Sequence, residues 1–194
     1  MTWLAYFDEI KNRLGKRKGG FSKIFSYLDE IKYPVILETG TYREENNYEG
    51  DGCSTLLYDN YIKYNGGKLI SVDIDPKACE LAKENTVFAK VYCEDSVEFL
   101  GQVEGEIDFL YLDSFNIQNW NNDWEASSHH LKELFAAKNC IKEGTLIVVD
   151  DNLNQAGRKL KIGKGRLISE LMASLGIKPY IDDYQMGWIW EELE

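Results

Sequence analysis

Acidic residues stand at the ends of four short apolar runs in this sequence. Glu38 ends "PVILE", Asp73 ends "KLISVD", Asp113 ends "IDFLYLD" and Asp150 ends "GTLIVVD". Runs that are apolar throughout are typical of parallel strands covered on both faces, and ligands bind at the carboxyl ends of such strands. One acidic strand end could be a turn or a helix cap, but four in order favour a ligand-binding rim.

The two histidines of the chain, His129 and His130, are adjacent and lie in a segment with helical spacing. The apolar residues expected to form the buried face of this helix are Trp124, Leu131, Leu134 and Phe135. At about 100° per residue, His130 then lies at the edge of that face and His129 opposite it. His130 is therefore the better candidate for a catalytic base, although a histidine satisfied at the core edge or at the surface is the alternative.

Strand-like and helix-like segments alternate through most of the chain. After two predicted helices within residues 3–31, the predicted strands cover residues 34–39, 68–74, 88–93, 107–113, 144–150, 177–183 and 186–190. The predicted helices between them cover residues 54–64, 76–84, 96–100, 123–138 and 165–175. This alternation predicts an α/β fold, a Rossmann-like, doubly wound mixed sheet with helices on both faces. The last two strands are separated by a short turn, so they should pair as a hairpin with the final strand antiparallel.

Length and composition predict a single domain over residues 1–194, with residues 1–33 as an N-terminal helical extension and 34–194 as the Rossmann-like core. The net charge of -11 argues against nucleic acid and anionic membrane as partners. Two basic stretches, 15–20 and 159–166, are interpreted as solvated loops, with a contact to an anionic group of the substrate as the alternative.

The four cysteines are far apart and include no C-x-x-C pair, which argues against a zinc site and against a disulfide framework. The sequence shows no charged-then-apolar leader and no apolar run long enough to cross a bilayer. These features together predict a cytoplasmic protein.

Five motifs occur in the order and at the spacing of a known family: "LETGT", "SVDIDP", "CEDSVEFL", "LYLDS" and "GTLIVVDDN". In these motifs the sequence resembles the class I S-adenosylmethionine-dependent methyltransferases, over roughly residues 34–192. The resemblance implies a seven-stranded sheet with an antiparallel seventh strand and S-adenosylmethionine as the cofactor. A nicotinamide-dependent oxidoreductase is disfavoured because no close-set G-x-G-x-x-G follows the first strand.

The resemblance also implies a binding segment for the methionyl part of the cofactor. This segment comprises Glu38, Thr39, Gly40 and Thr41, together with the helix N-terminus near Ser54, whose free N–H groups suit a carboxylate. A plain strand-turn-helix with a serine cap is the alternative. The polar insertion 41–49 is expected to be either a flap over this end of the cofactor or a solvated loop.

The remaining cofactor contacts implied by the resemblance lie after the second, third and fourth strands. Asp73 would accept hydrogen bonds from the two ribose hydroxyls, whereas Asp95 and Ser96 would meet the adenine. Asp95 could also be a helix N-cap, and both roles can hold together. Asp113 is expected to contact the cofactor as well.

The polar cluster of Asp113, Asp150, Asp151 and Asn152 would bring three carboxylates together at the rim. A hard divalent cation such as Mg²⁺ would relieve their repulsion. The cluster resembles that of metal-dependent O-methyltransferases acting on catechols or on sugar hydroxyls of natural products, which implies Asp113, Asp150 and Asp151 as metal ligands and Asp113 as a catalytic residue. In the alternative, Asp150 and Asp151 cap the next turn. The sequence "LDSFN" lacks the second aspartate of the sugar-modifying relatives, so the base stays unassigned.

These features predict a methyltransferase that acts on a hydroxyl of a small molecule, assisted by Mg²⁺. The alternatives are a metal-independent methyltransferase acting on another nucleophile such as nitrogen, and a cofactor-binding protein without turnover. The segment 114–124, which is rich in asparagine and aromatic residues, is interpreted as an acceptor-binding loop or as a polar connector. Trp188 and Trp190 are expected in the core or at a homodimer contact.

Overall fold

A computed structural model describes residues 2–120, 122–154 and 161–191 of the chain. Its α-helices are α1 Trp3–Ile10, α2 Lys18–Leu28, α3 Ser54–Asn65, α4 Pro76–Asn85, α5 Ser96–Leu100, α6 Trp124–Ala136 and α7 Arg166–Ser174. Its strands are β1 Val35–Thr39, β2 Lys68–Asp73, β3 Ala89–Cys93, β4 Ile107–Leu112, β5 Ile141–Val149, β6 Asn152–Leu153, β7 Ile162–Gly163, β8 Ile181–Asp182 and β9 Met186–Ile189. Short 3₁₀ turns cover Lys11–Arg13, Gly15–Arg17 and Ala137–Asn139.

Seven of the strands in the described chain form one mixed sheet in the order β3-β2-β1-β4-β5-β9-β8. Strands β1 to β5 are mutually parallel, and β9 is antiparallel to both β5 and β8. The predicted α/β fold and its antiparallel last strand are therefore confirmed. Parallel neighbours place the ends of β1, β2, β4 and β5 at one rim, as the acidic strand ends predicted.

Each central strand presents alternate residues to opposite faces of the sheet, and both faces are covered. In β4, Phe109 and Tyr111 belong to one buried cluster, whereas Leu110 and Leu112 belong to the other. The second cluster also contains Trp188, which is 1% exposed, so this tryptophan is a core residue. The continuous apolar runs of the sequence follow from this burial on two sides.

The N-terminal helices α1 and α2 contribute to the first of these clusters. Trp3, Phe7, Phe21 and Phe25 are buried there with Tyr58 of α3. The interpretation of residues 15–20 as a solvated loop was wrong. A 3₁₀ turn and the start of α2 occupy this stretch, and they carry the side chain of Arg17 into the interior.

The sequence did not predict the two-residue strands β6 and β7, which pair antiparallel beside the main sheet. Residues 155–160, which follow β6 after Asn154, lie outside the described residues. Among the described helices, none combines the length and the apolar character that a membrane span requires.

Candidate functional site

The turn after β1 lies against the end of β4. Gly40 N–H donates to the Val72 carbonyl at 2.8 Å, and Asp113 N–H donates to the Thr39 carbonyl at 2.9 Å. Gly40 has φ +81°, and a Cβ at this position would lie 2.6 Å from the Asp113 carbonyl oxygen. Only glycine fits this close approach of two backbones.

Two depressions lie at this rim and share Asp73. The first, here called the rim cleft, is lined by Gly40, Thr41, Tyr42, Arg43, Asp51, Cys53, Ser54, Asp73 and Asp113. The second, here called the His129 cavity, has a volume of about 320 Å³ and is lined by Asp73, Ile74, Asp95, Ser96, Ser114, Phe115 and His129. Of the predicted site residues, the structure therefore brings together Gly40, Thr41, Ser54, Asp73, Asp95, Ser96 and Asp113 along one surface.

Asp73 joins the two depressions and is fixed from both sides. Its Oδ2 accepts from Thr41 N–H and its Oδ1 from Asp75 N–H, each at 2.9 Å. A carboxylate oxygen has two lone pairs, so each oxygen keeps one for a ligand. The geometry suits a vicinal diol.

Asp95 and Ser96 form one wall of the His129 cavity. Asp95 Oδ1 caps α5 by accepting from the N–H groups of Val97 and Glu98 at 3.0 Å. Ser96 Oγ lies 3.3 Å from His129 Nε2, and the ring of His129 lies 5.3 Å from that of Phe115. The helix cap predicted for Asp95 is present, and among the described bonds its Oδ2 is left for a ligand.

Glu38 and Thr39 lie below this surface, because β1 extends to Thr39 and both side chains are fully buried. Glu38 Oε1 accepts from Thr55 Oγ1 at 2.5 Å, and burial raises the pKa of Glu38 well above its ordinary value. Burial therefore favours the neutral form of Glu38, and its bond to Thr55 ties β1 to α3. Neither residue lines the cleft or the cavity, so the contact of this segment with a cofactor stays a prediction and would involve backbone and not these two side chains.

The N-terminus of α3 faces the rim cleft at Ser54. The N-cap is Cys53 at φ +49°, and no side chain caps this helix end. The hydroxyl caps expected from this stretch are absent, because the Thr55 hydroxyl is bound to Glu38. A helix N-terminus without a side-chain cap favours an anion.

The insertion after Thr41 is tied to its surroundings. Tyr42 and Tyr48 are buried in the core, and Arg43 donates to Asp51 at 2.8 Å and to Asn116 at 2.9 Å. Because Arg43 and Asp51 also line the rim cleft, this segment borders the cleft.

Two cations that the sequence analysis placed in solvated loops lie among the rim carboxylates. Arg17 donates to Asp150 at 2.6 Å and to Asp151 at 2.8 Å. Lys164 is bound to Asp113, and to Asp151 at 2.9 Å. Arg17 is 4% exposed and Lys164 0%. The signal that could have identified them is that buried carboxylates require counterions, and the two basic stretches are the densest source of them.

These ion pairs also set the protonation of the rim. Burial would raise the pKa of Asp151, but the charges of Lys164 and Arg17 outweigh it and hold the pKa at about 2. Burial raises the pKa of Asp113 to about 7, against the opposing charge of Lys164. Asp113 is thus the rim carboxylate that can accept a proton near neutral pH.

The donor set predicted for Mg²⁺ does not fit a metal, because the cations Arg17 and Lys164 are already bound to these carboxylates. Among the described residues, no group of acidic, histidine or cysteine side chains is arranged to hold a metal ion.

His130 lies deeper in the buried face of α6 than the edge position predicted for it, so its predicted role as a base is not supported. His130 is fully buried, and its Nδ1 donates to the Ala126 carbonyl at 2.7 Å in the tautomer that satisfies this bond. The buried face of α6 is formed by Ala126, Ser127, His130, Glu133 and Leu134, while Trp124 and Phe135 are 56% exposed. His129 lines the cavity, so His130 has no access to a substrate there.

The segment 114–124 contributes its first residues to this surface. Ser114 and Phe115 line the His129 cavity, and Asn116 binds Arg43. Trp124 is exposed and lines neither depression, and Asn121 lies outside the described residues.

No protein-family model matches the sequence. One curated relative, polyamine aminopropyltransferase 2 of Aquifex aeolicus, is 27% identical over 143 residues, which cover 64% of this chain. The match spans 28% of that relative, so the chain corresponds to about a quarter of its length.

Several solved methyltransferases share the fold. MycE from the mycinamycin biosynthetic pathway, in complex with Mg and S-adenosylhomocysteine, has a TM-score of 0.58 at 14% identity over 84% of this chain and 47% of its own. CalS11, a TDP-rhamnose 3′-O-methyltransferase of calicheamicin biosynthesis, has a TM-score of 0.56 at 12% identity and covers 88% of this chain and 77% of its own. KedS8, a sugar N-methyltransferase from Streptoalloteichus sp. ATCC 53650, has a TM-score of 0.54 at 9% identity and covers 87% of this chain and 85% of its own. The chain therefore has the class I methyltransferase fold.

Proposed function

We propose that this chain is an S-adenosylmethionine-dependent methyltransferase that methylates a hydroxyl group of a small molecule. The observation that carries the proposal is the continuous surface from the Gly40 turn through Asp73 to the His129 cavity, at the carboxyl ends of the strands of this fold.

The residues present fit the cofactor in three places. Asp73 has a free lone pair on each oxygen for the ribose hydroxyls. The His129 cavity offers Asp95 and Ser96 for the edge of the adenine and the Phe115 ring for its face. The Gly40 turn and the N-terminus of α3 at Ser54 suit the carboxylate of the methionyl end. The bound cofactor supplies a methyl group activated by a positive sulfur.

Asp113 is the residue proposed to act on the acceptor. It lines the rim cleft, and its raised pKa lets it take the proton of a hydroxyl as the methyl group is transferred. Lys164 holds one of its oxygens, which fixes the carboxylate for an in-line reaction. His130 has no part in this proposal because its side chain is fully buried, and a metal ion has none because the described residues offer no donor set for one.

The fold relatives support a small molecule as the acceptor. CalS11 is named for a sugar hydroxyl and KedS8 for a sugar nitrogen, so nitrogen is the second candidate nucleophile. A nucleic acid is disfavoured by the net charge of -11.

Calorimetric titration with S-adenosylhomocysteine tests cofactor binding. Asp73→Ala should weaken binding about tenfold or more, because two hydrogen bonds to an ionised group are lost. Asp75→Ala is the matched control, since Asp75 caps α4 by accepting from Lys77 N–H at 2.9 Å and does not line either depression. Absence of binding to the wild-type protein would refute the proposed function. Release of S-adenosylhomocysteine in a screen of hydroxyl and amine acceptors then distinguishes the two nucleophiles.

A further inference from the structure

The rim of this chain carries fixed positive charge where the resembling O-methyltransferases carry Mg²⁺. We infer that Arg17 and Lys164 are built-in substitutes for a divalent cation, so that the chain binds no metal at Asp113, Asp150 and Asp151. This inference rests on the proposed function for its catalytic meaning, but metal binding can be measured without any reaction.

The first argument is the occupancy of the carboxylate oxygens. Asp150 Oδ2 accepts from Arg17 and from Tyr111 Oη, the latter at 2.7 Å, and Asp150 Oδ1 accepts from Asp151 N–H at 2.8 Å. Asp151 Oδ1 accepts from Arg17 and from Tyr184 Oη at 2.7 Å, and its Oδ2 is bound to Lys164. Asp113 Oδ1 is also bound to Lys164. Among the described bonds, only Asp113 Oδ2 accepts none, so a Mg²⁺ ion here would have to share its other oxygen ligands with Arg17, Lys164, a tyrosine hydroxyl or a backbone N–H.

The second argument is charge. With all three carboxylates ionised, one guanidinium and one ammonium bring the net charge of the cluster to -1, which is also the charge that one divalent cation would give the same three carboxylates. A divalent metal added to the present cluster would make its net charge positive. The cluster is buried and borders the proposed site of a cofactor whose sulfur is positive, and like charges repel strongly where water is excluded.

The third argument is that both cations are held by backbone as well as by charge. Arg17 Nη1 donates to the Glu49 carbonyl at 3.0 Å and to the Gly50 carbonyl at 3.3 Å. The Lys164 ammonium donates to the Asp113 carbonyl at 3.4 Å, and the backbone N–H of Lys164 donates to the Asp151 carbonyl at 3.2 Å. Gly163, at φ +125°, allows this contact, since a Cβ there would lie 2.1 Å from the same oxygen. The small β6–β7 pair thus positions Lys164 at the rim.

The test is a titration of the 194-residue chain with Mn²⁺ and Tb³⁺, followed by electron paramagnetic resonance and by luminescence, with and without S-adenosylhomocysteine. The wild-type protein should show no site at millimolar metal. Lys164→Met removes the ammonium but keeps the aliphatic chain, and should bind these ions about tenfold or more tightly than the wild type, because the cluster gains a negative charge. Lys161→Met is the matched control, since Lys161 pairs with Asp182 outside the cluster and its loss should create no site.

Stoichiometric metal binding by the wild-type protein that disappears in Asp151→Asn would overturn the inference. This result does not depend on whether Lys164→Met folds. If Lys164→Met folds and binds no better than Lys161→Met, the inference is also overturned. The affinity for S-adenosylhomocysteine, measured on the same samples, separates this outcome from failure of the proposed function, because a protein without cofactor affinity can still answer the metal question.

Discussion

Gly40 has a steric requirement that no side-chain movement can relieve, because the nearest neighbour of its missing Cβ is backbone. The Asp113 carbonyl oxygen lies 2.6 Å from that position and belongs to the end of β4, which is paired with β1 and β5. A flexible side chain could move aside, whereas this carbonyl can move only with the strand. The residue therefore couples the shape of the turn to the position of Asp113.

Gly40→Ala should consequently weaken S-adenosylhomocysteine binding about tenfold or more and lower the free energy of unfolding by more than about 2 kcal/mol. Gly105→Ala is the matched control, since Gly105 has φ +88° but no atom within 4 Å of an added Cβ. It should cost only the backbone strain of about 1–2 kcal/mol and leave binding unchanged. Calorimetry and urea unfolding of both variants measure the difference. Equal effects on binding would show that the contact with Asp113 is unimportant.

The protonation of His130 should affect the free energy of unfolding and not the catalysed reaction. Burial lowers the pKa of His130 to about 4, and Lys164 and His129 act in the same direction, while Glu133 opposes them. A folded state that resists protonation binds fewer protons than the unfolded chain between the ordinary pKa of 6.5 and about 4. The stabilising contribution of neutral His130 is therefore lost as the pH falls through this window.

Between pH 6.5 and pH 4, the free energy of unfolding of the wild-type protein should fall by on the order of 2–3 kcal/mol more than that of His130→Gln. The comparison between variants is needed because the raised pKa of Asp113 acts in the opposite direction over the same range. His129→Gln keeps the buried imidazole and should follow the wild-type curve. Urea unfolding at several pH values measures this, and parallel curves for wild type and His130→Gln would contradict the assignment.

Residues next to a strand end were predictable, and residues brought in from a distance were not. Asp73, Asp95 and Ser96 follow their strands directly, so the strand pattern places them at the rim. Arg17 reaches Asp150 across 133 residues, and no local pattern contains that contact. The predicted rotation of α6 about its axis was wrong because Trp124 and Phe135 were expected to be buried. The side chains that face the interior instead include polar Ser127, His130 and Glu133.

At the scale of elements, the insertion between β1 and α3 borders the rim cleft. The cleft itself has a volume of only about 10 Å³, and Arg43, which lines it, is bound to Asp51 and Asn116. A ligand that enters must displace these exposed bonds, while Tyr42 and Tyr48 keep the ends of the segment in the core. The segment thus has the contacts of a flap, which stays a prediction.

Cofactor binding should slow amide hydrogen exchange across residues 43–52, because the segment then closes over a ligand and not over a small cleft. Residues 87–89 are the control, since Asp59 holds their N–H groups at 2.7–3.2 Å away from either depression. Exchange measured by mass spectrometry with and without S-adenosylhomocysteine gives the comparison. Unchanged rates across 43–52, with binding confirmed by calorimetry, would make the segment an ordinary loop.

The long elements of the sheet followed from sequence periodicity, but the smallest ones did not. The predicted strands and helices agree with the observed ones within a few residues, since their apolar faces are buried locally, except that only Ile181–Asp182 of the predicted strand 177–183 is a strand. The β6–β7 pair has two residues in each strand and depends on tertiary bonds such as that from Gly163 N–H to Asp123 at 2.7 Å. A segment held in this way has no periodicity to detect.

At the scale of the whole molecule, the N-terminal helices and the Rossmann-like core share one buried cluster. Phe25 of α2 lies with its ring 4.4 Å from that of Trp3 in α1 and 5.5 Å from that of Tyr61 in α3. Arg17 adds a buried ion pair between the same N-terminal segment and Asp150 after β5. A chain joined in this way should unfold as one unit, with residues 1–33 included.

Phe25→Ala should therefore lower the free energy of unfolding of the entire protein by about 3–5 kcal/mol, because a fully packed ring is lost and leaves a cavity. Leu4→Ala is the control on the neighbouring helix, since Leu4 is 65% exposed and its removal should change stability by less than about 0.5 kcal/mol. Differential scanning calorimetry should show one transition that moves to lower temperature in Phe25→Ala. An early separate transition, with the main one unmoved, would mean that the N-terminal helices fold apart from the sheet and that Arg17 reaches the rim only as an attached arm.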